Sequence, residues 1–110
     1  MATPINTFKT VTANLTTSGN NIMYTAPPIT STIILMAQVT NVGNSTEEVT
    51  ASHYDGTSVT TELVKNFSVP VADAVGVLVG KLVLTAGQSF LASASANSAL
   101  KLTLSLLETK

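Results

Sequence analysis

Few side chains of this sequence could carry out chemistry, and they are not grouped. His53 is the single histidine and stands beside Tyr54 and Asp55, and the chain has no cysteine, arginine or tryptophan. A catalytic histidine needs a carboxylate that orients it and a group that it can deprotonate. Because Asp55-Gly56 is typical of a hairpin turn, we expect His53 to be an ordinary residue beside a surface turn and not a general base.

The carboxylates do not form a metal-binding pattern. They are Glu47, Glu48, Asp55, Glu62, Asp73 and Glu108. A calcium loop places several oxygen ligands within about 12 residues, and this spacing does not occur. A β-sandwich could still bring distant loops together, so a weak calcium site at one end of the fold stays open. Solubility is the main role that we expect for these groups, and we predict no catalytic residue, metal site or cofactor.

The composition is that of one folded domain, residues 1–110. Hydrophobic residues make up 45% of the chain and charged residues 10%, which provides enough apolar area to offset the entropy lost on folding. The net charge is −1, without the basic patch of a nucleic-acid-binding protein. No apolar stretch approaches the length of a membrane helix, and the first residues do not resemble a secretion signal. We therefore expect a soluble protein without nucleic-acid or membrane partners.

Alternating apolar and polar residues, separated by turn signals, predict an all-β fold. The clearest strand is the last, where every second residue from Leu100 to Leu106 is leucine. Asp55-Gly56 predicts a hairpin, and the polar residues 18–21 predict another one near the N-terminus. The predicted strands are 8–16, 22–25, 31–42, 47–54, 57–65, 73–80, 81–84, 89–95 and 100–107, with a short apolar segment at 67–70. About eight short strands of this kind are typical of an antiparallel β-sandwich or jelly roll, with a barrel as the alternative.

Several apolar residues lie opposite the face that the alternation assigns to the core. A soluble monomer rarely exposes a large apolar patch, so these residues predict an interface. If the register of their strands were shifted by one residue, the same side chains would be buried instead. Residues 1–7 are predicted to form a flexible N-terminal arm. The candidate interface residues are Ile34, Met36, Leu78, Leu91 and Leu107.

Five segments, which cover nearly all of the chain from Ile22 onward, carry strand and turn motifs. They are IMYTAPP (22–28), TIILMAQVTN (32–41), LVKNFSVP (63–70), GKLVLTAGQS (80–89) and LSLLE (104–108). Together they resemble the small virion proteins of tailed bacteriophages. The chain departs from that pattern at Pro28, where glycine is more usual, and at Gln88, where an acidic residue is more usual. Both positions are at predicted turns, and the second departure weakens any metal site in that loop.

The resemblance implies a small β-sandwich protein of a capsid, tail or fibre. We expect a non-enzymatic capsid decoration or cement protein, made in the host cytoplasm, that binds the assembled major capsid protein shell as a dimer or trimer at the virion surface. Met36, Leu107 and the arm at 2–7 are candidate capsid contacts. The alternative is a tail, neck or fibre adaptor present in few copies. A carbohydrate-binding host-recognition module is less favoured, because only Tyr24 and Tyr54 could provide a stacking platform.

Overall fold

A computed structural model describes residues 5–18 and 21–110. Within these residues the chain forms nine β-strands and no helix, so the all-β prediction is confirmed. The strands are β1 (Asn6–Asn14), β2 (Ile22–Thr25), β3 (Ser31–Asn41), β4 (Glu47–Tyr54), β5 (Thr60–Val69), β6 (Ala74–Gly76), β7 (Leu82–Leu84), β8 (Ser89–Ala94) and β9 (Leu100–Thr109).

The strands form two antiparallel sheets that pack together. The first sheet has the order β1-β9-β3-β6, and β7 also pairs with β3. The second sheet has the order β2-β8-β4-β5. The predicted β-sandwich is therefore confirmed, while its jelly-roll form stays a prediction.

The core lies between the two sheets and is built by the alternation that the sequence shows. In β9 the side chains of Leu100, Leu102, Leu104 and Leu106 are at most 1% exposed. Phe90 of β8 faces them from the second sheet and is fully buried. A leucine or phenylalanine side chain contributes about 1.5–3 kcal/mol when it is fully removed from water, so these inward rows stabilise the sandwich.

The predicted hairpin at Asp55-Gly56 is confirmed, since β4 and β5 pair antiparallel on either side of it. One carboxylate oxygen of Asp55 accepts the backbone N–H groups of Thr57, Ser58 and Val59 at 2.9, 2.9 and 3.0 Å. These backbone donors lower the pKa of Asp55 to about 2. The turn is therefore held by an ionised carboxylate at neutral pH.

The predicted hairpin near the N-terminus is wrong. β1 pairs with β9 and β2 pairs with β8, so the chain passes from one sheet to the other between β1 and β2. Leu15, which follows β1, is fully buried and donates its N–H to the carbonyl of Leu100 at 2.9 Å. Polar turn residues also occur where a chain changes sheets, so the turn signal alone could not identify the pairing partner.

Residues 1–4 of the predicted flexible arm lie outside the described residues. Within the described part, Asn6 and Thr7 already belong to β1 and are paired with Thr109 and Glu108 of β9. Ile5 accepts the backbone N–H of Lys110 at 3.2 Å. The predicted arm is thus paired strand from Asn6 onward.

Candidate interaction surface

The structure places two of the predicted interface residues on the exposed outer face of the first sheet. Met36 is 38% exposed and Leu107 is half-buried. Leu78 is half-buried and packs against the core. Leu91 lies on the outer face of the second sheet, as its alternation predicts, but is only 5% exposed because it sits in a groove with Ile22 and Tyr54. The five residues therefore do not form one surface.

Ile34 is fully buried, so its predicted outward position is wrong. The reason is a β-bulge in β3, where the register with β9 shifts between Ile34 and Met36. The extra residue, Leu35, changes which residues point inward: Ile34 before the bulge and Ala37 after it are both buried. Strict alternation cannot describe such a strand.

A row of apolar residues crosses the outer face of the first sheet. In the strand register Phe8 of β1 is opposite Leu107 of β9, Leu107 is opposite Ile33 of β3, and Ile33 is opposite Val83 of β7. Phe8 is 73% exposed and Val83 is 55% exposed. Leu35 and Met36 at the bulge extend the row. These residues are called the apolar patch below: Phe8, Ile33, Leu35, Met36, Val83 and Leu107.

The apolar patch is open and carries only a shallow depression. A shallow groove of about 230 Å³ runs beside Phe8 and Leu35. Pockets that enclose small molecules usually measure about 300–1,000 Å³ and bury most of the ligand. The shape of the patch therefore suits contact with another protein surface better than it suits a small ligand.

The other end of the same outer face is polar. Thr12, Thr103 and Gln38 form one cross-strand row, and the next row contains Lys101, whose ammonium group donates to the side chain of Asn14 at 3.1 Å. Hydroxyl, amide and ammonium groups on an outer face are well solvated. This polar end follows the usual pattern of a half-exposed sheet.

Beneath the apolar patch, the inner face carries a polar network. Glu108 of β9 is only 7% exposed, and it accepts a hydrogen bond from the phenol of Tyr24, in β2 of the second sheet. The ammonium group of Lys9 lies 3.1 Å from the other Glu108 oxygen. The phenol proton goes to Glu108, so the Thr32 hydroxyl donates to the Tyr24 oxygen at 2.8 Å. We call Lys9, Tyr24, Thr32 and Glu108 the inner network.

The pKa values show how the inner network is charged. Burial, together with the bond to Glu108, raises the pKa of Tyr24 to about 12. The bond from Tyr24, helped by Lys9, holds the pKa of Glu108 below its usual value. At neutral pH the network therefore contains an ionised carboxylate, a neutral phenol and an ammonium group. It joins the two sheets through complementary groups.

His53 is not arranged as a general base. Its Nε2 atom lies 3.2 Å from the side-chain oxygen of Gln88, and the same oxygen accepts the backbone N–H of Thr85 at 3.0 Å. Because an amide oxygen only accepts, Nε2 carries the proton. The imidazole is therefore hydrogen-bonded to an amide and not to an orienting carboxylate.

The described residues contain neither a metal-binding cluster nor a membrane-spanning helix. Across residues 5–18 and 21–110, no group of three or more His, Asp or Glu side chains is placed to hold a metal ion. The same part of the chain contains no helix that is long and apolar enough to cross a membrane.

The sequence prediction missed four of the six residues of the apolar patch: Phe8, Ile33, Leu35 and Val83. Phe8, Ile33 and Val83 lie in segments that are far apart in the sequence and become neighbours only through pairing with β9 and β3. Two local signals were present: the apolar run at 33–37, and the pair Leu106-Leu107, where two consecutive leucines interrupt the alternation of β9. Such a break indicates that both faces of the strand are apolar at that point.

Comparison of the chain with models of known protein families, with curated protein sequences and with solved structures finds no match in any of the three. Function is therefore inferred from the surface chemistry of the molecule and from the sequence motifs described above.

Proposed function

We propose that this protein is a non-enzymatic structural protein of a bacteriophage virion, a capsid decoration or cement protein that binds the assembled major capsid protein shell through its apolar patch. The observation that carries the proposal is the inverted polarity at one end of the first sheet. There the outer row is apolar from Phe8 to Val83, while the adjacent inner row contains Glu108 and Thr32 beside the fully buried Leu84. Burial of apolar area within one molecule favours the opposite arrangement. An apolar outer row gains free energy only when a second surface covers it.

The open, shallow shape of the apolar patch supports a protein lattice as the partner. A protein that binds only the assembled shell stabilises it by mass action, since opening of the shell must first release the bound copies. A symmetric shell repeats the same contact many times, so a modest interface can act at every equivalent position. No catalytic group is needed for this role.

The virion assignment is supported by the resemblance of five segments to small tailed-phage proteins. Their strand and turn motifs lie at 22–28, 32–41, 63–70, 80–89 and 104–108. The same resemblance supports a position at the capsid surface after synthesis in the host cytoplasm. It is equally compatible with a tail or neck adaptor, which differs from a decoration protein chiefly in copy number.

Quantitative mass spectrometry of purified virions would test the assignment first. We expect this chain in a simple ratio to the major capsid protein. A copy number that matches a tail or neck component would move the assignment to the adaptor. Absence of the chain from purified virions would overturn the proposal.

A matched pair of variants would test the apolar patch itself. Phe8→Asp and Thr12→Asp place the same charge on the same strand and the same outer face, one in the apolar patch and one in the polar end. Because burial of a carboxylate against apolar surface is costly, we expect Phe8→Asp to weaken binding to shells by roughly tenfold or more. Thr12→Asp should bind as the wild type does. Equal binding by both variants in a co-sedimentation assay would exclude the patch as the contact.

A further inference from the structure

The β1 strand is a long free edge of the first sheet. Among the described residues it pairs with β9 alone, and this pairing runs from Asn6 to Asn14 without a register shift. The side of β1 that faces away from β9 therefore presents a regular row of backbone donors and acceptors. Such a row is a template for another strand.

Two hydrogen bonds identify which backbone groups are free. Leu15 donates its N–H to the carbonyl of Leu100 at 2.9 Å, and Lys110 donates its N–H to the carbonyl of Ile5 at 3.2 Å. In an antiparallel ladder, bonded and non-bonded pairs alternate, so the odd-numbered residues of β1 direct their backbone groups to β9. The residues that direct their N–H and C=O groups to the free edge are Asn6, Phe8, Thr10, Thr12 and Asn14.

We propose that two copies of this chain associate by antiparallel pairing of β1 with β1, about a twofold axis at Thr10. Thr10 is the middle one of the five free positions. With the axis there, Thr10 pairs with Thr10 of the second copy, Phe8 with Thr12, and Asn6 with Asn14. Every free N–H of one β1 then donates to a free C=O of the other β1. The first sheets of the two copies become one continuous sheet.

The side chains of β1 are compatible with a second copy as the partner. Lys9 is the single charged residue of the strand, and its charge is already matched by Glu108 at 3.1 Å. In the proposed register Lys9 faces Val11 of the second copy, so the two ammonium groups are not directly opposite. The bonded pairs join threonine with threonine and phenylalanine with threonine, which are favourable cross-strand neighbours.

The other edge strands are blocked or short, which singles out β1. The pairing of β5 with β4 is interrupted by two register shifts. Asn66 of β5 has a positive φ of 51°, and Glu62 and Lys65 add charge to that edge. The strands β2, β6 and β7 have only four, three and three residues. Bulges, charges and short length are the usual protections against edge pairing, and β1 has little of this protection.

The proposed dimer would also strengthen the binding proposed above, although the dimer itself does not depend on that function. A twofold axis through paired antiparallel strands is perpendicular to the sheet, so both outer faces stay on the same side. The two apolar patches then point in one direction, one on each side of the axis. If the patch binds a shell, the dimer binds it at two points.

Sedimentation equilibrium of purified wild-type protein, Thr10→Pro and Thr10→Ala tests the dimer. Proline removes the N–H at the centre of the free edge without removing a bond to β9, and edge strands tolerate proline at such positions. Alanine changes the same side chain but keeps the N–H. We expect twice the 11.3 kDa monomer mass for the wild type and Thr10→Ala, and the monomer mass for Thr10→Pro with an unchanged circular dichroism spectrum. A wild type that is monomeric up to its solubility limit would overturn the proposal, as would dimers of folded Thr10→Pro.

Hydrogen exchange of the wild type, followed by NMR, decides the question even if Thr10→Pro does not fold. The amides of Val11 and Ala13 bond to β9 and should be protected at every concentration. The amides of Phe8, Thr10 and Thr12 should be protected only in the dimer and should exchange faster on dilution. A dimer in which these three amides exchange rapidly would use another interface and would refute the edge pairing. Shells are absent from both experiments, so their outcome is independent of the capsid assignment.

Discussion

The outer face of the first sheet is polar at one end and apolar at the other. At one end, Lys101 and Thr103 face solvent while Leu100 and Leu102 lie in the core. At the other end of the same strand, Leu107 lies on the outer face and Glu108 on the inner face. The first end is arranged as folding alone requires. The second end leaves apolar area in water and places charge near the core, an arrangement for which the proposed contact with a partner surface would account.

The end of the first sheet that carries the apolar patch, called the inverted end below, also shows how a charge is accommodated between the sheets. Glu108 has side-chain partners on two other strands, Tyr24 of β2 and Lys9 of β1, and Thr32 of β3 extends the network by donating to the Tyr24 oxygen. A buried carboxylate without such partners would be strongly destabilising. The inner network therefore keeps this end of the sandwich closed while its outer face is apolar.

The largest loss of stability is expected from a change in the core at the polar end of the first sheet. Leu102→Ala should destabilise the fold by about 2–5 kcal/mol, because it removes a side chain that is 1% exposed and leaves a cavity. Thr103→Ala, one residue along on the outer face, should change the free energy of unfolding by less than about 0.5 kcal/mol. Urea denaturation measures both. Similar losses for the two variants would show that the inner and outer faces of β9 are assigned incorrectly.

A smaller loss is expected when the charge of the inverted end is removed. Glu108→Gln keeps the size of the side chain but removes the ion pair with Lys9 and the charge-assisted bond from Tyr24. Hydrogen bonds to charged groups contribute about 1.5–3 kcal/mol, and we expect a loss of that order in urea denaturation. Glu48→Gln, the same change at an exposed carboxylate, is the control and should be nearly neutral. A neutral Glu108→Gln would mean that the inner network does not hold the sheets together.

The pH dependence of stability gives a sharper test of the same network. Tyr24, with its pKa raised to about 12, stabilises the fold at and below pH 10, and this contribution is lost as the pH rises from 10 towards 12. Glu108, with its lowered pKa, stabilises the fold above the usual pKa of glutamate, and this contribution is lost as the pH falls.

Tyr24→Phe should therefore remove about 1.5–3 kcal/mol at neutral pH, since it removes the charge-assisted bond to Glu108 as well as the bond from Thr32. It should also flatten both limbs of the stability profile, since Glu108 loses the partner that lowers its pKa most. Denaturation at a series of pH values measures this difference. Tyr54→Phe serves as the control for loss of a phenol. If the alkaline limb is the same in the wild type and in Tyr24→Phe, another group is responsible for it.

Local patterns were sufficient to predict part of the fold. The alternation of Leu100 to Leu106 and the turn at Asp55-Gly56 identify β9 and the β4–β5 hairpin, because each depends on neighbouring residues alone. The pairing of β1 with β9 joins Asn6 to Thr109. No local pattern encodes such a distant partner, which is why β1 was assigned to the wrong hairpin.

The candidate site was less predictable than the fold. Met36 and Leu107 could be predicted from local alternation, because each is an apolar residue on the face of its strand opposite the predicted core face. Ile34 was misplaced by the bulge at Leu35, since a single extra residue exchanges the two faces of a strand. The inner network could not be foreseen at all, because it joins Tyr24 to Glu108, residues that only the packing of the two sheets brings together.

The smallest effect on stability is expected at the outer face of the inverted end. Phe8→Thr gives this position the residue type that occupies Thr12 at the polar end, and it removes a cross-strand contact with Leu107 that is worth about 0.2–1 kcal/mol. Phe8 is 73% exposed, so no cavity forms. We therefore expect a stability close to that of the wild type together with a clear loss of binding to shells. Thr12→Val, which adds apolar area at the polar end, should not improve binding. If Phe8→Thr instead destabilises the fold as strongly as Leu102→Ala, Phe8 belongs to the core, and the inverted end is a feature of folding and not of function.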